Sequence, residues 1–88
     1  MRKYESEGKY TVRNLVKNKA IALELAEIYV KNRYGQDAAE EEKPYEITEL
    51  TTSWVVEGTI HSDQIAGGFF IIEIGKNDGR ILNFGHGK

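Results

Sequence analysis

The 88-residue chain has no cysteine, one proline, one methionine and one tryptophan. Without cysteine, neither a disulfide nor a thiolate metal site can hold the fold together. Long apolar runs are missing too. The longest, FFII at residues 69–72, falls far short of the ~20 residues a membrane-spanning helix needs. The first ten residues, MRKYESEGKY, are polar and show no apolar secretory segment. The reading is a cytoplasmic protein with no membrane partner, no metal and no cofactor. At this length the expectation is one domain over 1–88, with 1–11 as a flexible arm.

What is present is a polar, folded composition: 40% hydrophobic and 30% charged residues, with a net charge of −2. The charge is uneven. Residues 1–34 hold eight Lys/Arg against four Glu, whereas residues 36–63 hold eight Asp/Glu against Lys43 alone. So acidic a middle segment repels nucleic acid and suits a basic protein partner. The plainer account is a solvated loop and strand edge kept soluble by glutamates.

One helix is clear, over residues 18–34. Asn18 suits the N-cap and Gly35 the C′ position. At ~100° per residue, Ile21, Ala22, Leu25, Ala26, Ile28 and Tyr29 share a broad apolar face, widened by Leu23 and Val30. Glu27 and Lys31 form a favourable i,i+4 pair on the polar stripe.

Residues 35–43, GQDAAEEEK, read as an acidic connector. Beyond it the apolar period changes from 3.6 to 2. PYEITEL (44–50) is expected as an edge strand, because Pro44 cannot donate to a ladder. TSWVVEGTI (52–60) places Trp54, Val56 and Ile60 on one face, opposite Val55, Glu57 and Thr59. HSDQIAGG reads as a loop, and FFIIEI (69–74) as a strand apolar on both faces. In KNDGR, Asn77-Asp78 suit a type I turn and Gly79 the positive-φ position of a bulge, joining Ile74 to Ile81. RILNF follows, with Leu82 and Phe84 expected to face the helix. The fold class is α+β: one long N-terminal helix packed on a curved antiparallel sheet of three to four strands.

Catalytic signatures are weak. His61, Ser62 and Asp63 are triad residue types, but three consecutive loop residues do not converge as nucleophile, base and orienter. The terminal GHGK fails as a phosphate loop. Five residues separate Gly79 from Gly85, and no Ser/Thr follows Lys88. Trp54 lies in an acidic segment, against the basic groove that base-stacking proteins use. Glu57 and Glu73 have the chemistry of acid–base groups in a cleft, although solvent-facing glutamates are the commoner case. The expectation is a protein that is not an enzyme.

A helix ending in YG, then KPYEI, WVVEGTI, GGFFIIEIGKNDGRIL and a terminal HGK together resemble a family of small bacterial immunity proteins. These have a cystatin-like fold related to nuclear transport factor two and belong to polymorphic toxin systems. The elements carrying the resemblance are Pro44 after Lys43, Trp54 with Gly58, Gly67-Gly68, Lys76 with Asp78-Gly79, and His86-Gly87-Lys88. Phe69-Phe70 depart from it, being bulkier than the residues expected after the glycine pair. The resemblance implies that Pro44, Trp54, Gly58, Gly67, Gly68, Asp78, Gly79, His86 and Lys88 are structural, and that the protein binds and neutralises a cognate toxin.

Taken with the acidic segment, this places the toxin contact on Glu40, Glu41, Glu42, Glu46 and Glu49, facing a basic surface. The alternative is a small-ligand protein or small enzyme with a pocket between helix and sheet, lined by Trp54, Phe69 or Phe70. The apolar second face of FFII calls for a cover: the N-terminal arm of a monomer, a second copy in a homodimer, or a partner protein.

Overall fold

The computed structural model describes residues 14–61 and 68–87. Helix α1 (Lys19–Tyr34) leads through the short helix α2 (Gln36–Glu41) to β1 (Glu46–Glu49), β2 (Ser53–Glu57), β3 (Phe69–Gly75) and β4 (Ile81–Gly87). The strands form one antiparallel sheet in the order β1-β2-β3-β4, with α1 against one face. The arm expected at 1–11 and most of the expected loop at HSDQIAGG lie outside the described residues.

Helix α1 begins where local chemistry puts it. The Asn18 side chain accepts from the Ile21 N–H at 3.0 Å, and Gly35 ends the helix at φ 95°. Lys31 reaches Glu27 at 4.0 Å, the expected i,i+4 pair. The buried stripe is narrower than the apolar face predicts, consisting of Ala22, Ala26 and Val30. Small residues let the helix axis approach the sheet closely. Ile28 lies about 160° round the helix from the middle of that stripe and is 57% exposed.

Against the stripe pack Val16, Trp54, Val56, Phe70, Ile72 and Ile74, all buried. In the ladders, Trp54 pairs with Ile74 and Val56 with Ile72, so the inward face alternates as the strand period requires. The Trp54 indole donates to the Val16 carbonyl at 2.9 Å, tying the segment before α1 to the sheet. Trp54 and Phe70 are therefore solid core, and the pocket between helix and sheet that the small-ligand reading needs is filled at that position.

Three local expectations need revision. Strand β2 ends at Glu57, so Ile60 lies beyond it, 46% exposed, and does not share the inward face of Trp54 and Val56. Residues 36–41 are helical, because Ala39 is buried and the Tyr45 hydroxyl donates to the Ala39 carbonyl at 2.6 Å. Neither contact can be read from the segment itself. Strand β4 also slips register: Glu73 pairs with Asn83 but Ile74 with Ile81, which leaves Leu82 as an extra residue. Leu82 is consequently on the face away from α1, near Gly75, and 39% exposed. Phe84 keeps the expected orientation and meets Tyr34 edge to face at 5.6 Å. The turn before β4 holds as expected. Gly79 at φ 75° donates to the Gly75 carbonyl, and the Gly75 N–H donates to Arg80.

Candidate functional site

The acidic segment divides into glutamates that hold the fold and glutamates that face outward. Lys43, between α2 and β1, bonds Glu27 of α1 at 3.1 Å and Glu40 of α2 at 3.2 Å. The bond to Glu27, then that to Glu40, raises its pKa above the ordinary lysine value. Glu42 turns inward, and its carboxylate accepts the Phe70 N–H at 2.8 Å. A Cβ on Gly58 would come within 2.9 Å of both Glu42 Cβ and the Phe70 ring, so only glycine fits there. The Glu42 carbonyl accepts from the Thr59 N–H at 2.8 Å, and the Thr59 hydroxyl donates to the Pro44 carbonyl. His61 bonds the Lys43 carbonyl at 2.8 Å. The Lys43-Pro44 peptide within this clamp is cis.

Tyr45 completes the clamp by stacking edge to face on Phe70 at 4.9 Å. Burial, with Glu27 nearby, pushes its hydroxyl pKa up to about 12. At the other end of β1, Glu49 bonds Lys76 at 2.7 Å, and Lys76 lies 5.2 Å above the Trp54 ring. Of the five glutamates expected to bind a partner, Glu40, Glu42 and Glu49 thus have intramolecular partners. Glu41 and Glu46 are exposed and make no ion pair among the described residues.

Glu46 has a second distinction. The register sets it opposite Glu57 on β2, so two carboxylates share one end of the outer sheet face. Directly opposed like charges are destabilising, and no cation among the described residues pairs with either. The two glutamates line a shallow cleft of about 240 Å³ with Gly58, Thr59, Ile60 and Phe69. Ile60 is 46% exposed there, and Phe69 is half-buried. Sequence periodicity puts Glu57 on the outer face, but the pairing with Glu46 depends on register between two strands. Glu41, near the end of α2, is exposed but is not part of this cleft.

The remaining motif residues lie in the turn, loop and strand contacts of the fold where they are described. Asp78 accepts from the Arg80 N–H at 3.1 Å within the β3–β4 turn. His86 is within β4, its Nδ1 3.3 Å from the Tyr34 hydroxyl and its ring 4.7 Å from the Tyr34 ring. Gly68 has φ 67°, whereas Gly67 and Lys88 lie outside the described residues. Glu73, mid-sheet on the outer face, accepts from Ser53 at 2.7 Å and Asn83 at 2.8 Å. Those bonds, Ser53 first, hold its carboxyl below the usual range. Among the described residues no cluster of three or more His, Asp or Glu is placed to hold a metal. No helix among them is long and apolar enough to cross a membrane.

Two uncharacterized proteins of Escherichia coli (strain K12) are similar over most of this sequence. YhhH is 99% identical over 88 residues, all of this chain and 69% of its own length. YbbC is 60% identical over 80 residues, covering 91% of this chain and 66% of its own length. The chain therefore spans about two-thirds of either relative. No solved structure matches it. The family described as NTF2 fold immunity protein matches residues 21–88, from the first turn of α1 through β4. A helix on an antiparallel sheet is consistent with that fold, and the chain belongs to the NTF2-fold immunity proteins.

Proposed function

We propose that the protein binds a cognate bacterial toxin and neutralises it in the producing cell, and that a basic patch on the toxin docks at the outward acidic end of the sheet. One observation carries the location: Glu46 and Glu57 are held opposite one another with no cation paired to either among the described residues, beside exposed Ile60 and half-buried Phe69. A like-charge pair costs folding stability, and a cationic partner relieves that cost on binding. The neighbouring apolar side chains supply anchor area, with Glu41 adding to the field that steers association. Glu40, Glu42 and Glu49 contribute negative potential while serving as internal braces.

The adjacent gene supplies the test, since a secreted protein with a toxic C-terminal domain is the expected neighbour. Co-expression of this chain with that domain should restore growth. Reversing Glu41, Glu46 and Glu57 to lysine should slow association by about tenfold or more at low salt and flatten its salt dependence. An unchanged on-rate would reduce the acidic end to a solvated edge. Failure to restore growth would reject the neutralising role itself.

A further inference from the structure

The opposite edge of the sheet has a different chemistry. Strand β4, ILNFGHG, contains no Asp, Glu, Lys or Arg and lies at one edge of the sheet formed by the described residues. Its flank is open. A groove of about 450 Å³ runs between it and α1, lined by Tyr29, Asn32, Arg33, Ile81 and Phe84. Ile81 and Leu82 are 41% and 39% exposed. A seven-residue uncharged edge with exposed apolar side chains is what sheets ordinarily guard against.

The ladder shows which backbone groups this edge presents. Gly58 donates to the Phe70 carbonyl on the β2 side, whereas Gly75 exchanges bonds with Gly79 and Arg80 on the β4 side. Alternate residues of a strand aim at alternate neighbours, so Ile71 and Glu73 face β4 and bond their partners Gly85 and Asn83. Phe84 and His86 consequently direct their N–H and C=O groups away from the sheet. Between them is Gly85, where an added Cβ would meet no atom within 4 Å.

We propose that a second copy of this chain pairs antiparallel along β4, with the two-fold axis at Gly85, to give one continuous eight-stranded sheet. That axis sets Phe84 against the partner's His86 as a hydrogen-bonded pair, and His86 against the partner's Phe84. Four outward backbone groups on each copy are satisfied together. Gly85 meets its own counterpart in the non-hydrogen-bonded position, where Cα atoms approach to ~4.5 Å and side chains placed there would face one another directly. The Phe84 and His86 rings, already packed on Tyr34, become cross-strand neighbours across the axis. Charge selects the occupant. A neutral strand faces its own copy without repulsion, whereas self-pairing of β1 would bring Glu46 and Glu49 against their counterparts. This surface is separate from the acidic end, so the two can be tested independently.

Sedimentation of the 88-residue chain at roughly 100 μM should give twice the 10.0-kDa monomer mass. Gly85→Lys and Gly85→Glu leave the monomer room to fold, and each should sediment as a monomer. An equimolar mixture of the two should recover the dimer, because opposite charges then face one another. Hydrogen exchange on the unmodified chain gives a readout that needs no variant. The Phe84 and His86 amides should exchange about tenfold more slowly at high than at low concentration. A monomeric chain, dimers that survive both substitutions, or protection on Val55 and Ile71 instead would overturn the proposal. So would protection of Phe84 and His86 that arises only on adding a different protein.

Discussion

The two edges of the sheet differ in almost every respect that governs strand pairing. Strand β1 is four residues long, preceded by Pro44, and carries Glu46 and Glu49. It is also braced by Lys43, Tyr45 and the inward carboxylate of Glu42. Strand β4 is seven residues long, free of formal charge, and touches α1 mainly through Phe84 and His86 against Tyr34. Charged, short and braced edges resist adding a strand; neutral and open ones invite it. One sheet thus has two ends of opposite character, an acidic one proposed to receive a cationic protein and a neutral one proposed to pair with its own copy.

That contrast can be broken most severely at the clamp. Glu42→Ala orphans the buried Phe70 N–H and should cost about 1–3 kcal/mol, read from the urea midpoint. A loss near zero would mean that Glu42 does not brace the β1 end. The alkaline limb of stability sharpens the contrast next. The Tyr45 hydroxyl titrates at about 12 in the fold against 10.0 ordinarily, so the native state holds its proton longer than the unfolded chain does. Its contribution is complete below pH 10 and is lost as pH rises toward 12, with Lys43 acting in the same sense. Tyr45→Phe should flatten the decline in melting temperature over that range. The smallest effect belongs to β4: Leu82→Ser, at a 39% exposed bulge residue, should change monomer stability by no more than about 0.5 kcal/mol.

Legibility in the sequence followed the range of the interactions. Asn18 and Gly35 bound α1, and Gly79 sets the β3–β4 turn, through contacts within a few residues. Those elements could be placed by local chemistry alone. Helix α2 could not, since its N-cap Gly35 offers no side chain and its support comes from Tyr45 and the burial of Ala39. Leu82 was misassigned for a related reason. A bulge shifts strand parity, and no residue in RILNF announces it.

The same division runs through the proposed binding surface. Composition located the negative charge correctly between residues 36 and 63, and the family fingerprint at KPYEI, WVVEGTI and KNDGR lies within the residues the family matches. By itself the sequence determined the helix and its caps, the turn at Gly79, the α+β class and the family, because these rest on local geometry or residue identity. Only the tertiary structure decided that Glu42 is an internal ligand of the Phe70 N–H and that Glu46 stands against Glu57. It alone decided, too, that Phe84 and His86 open their backbone to an edge. The latter two depend on strand register and the first on how the end of α2 packs against β3, relations between distant residues that no single segment encodes.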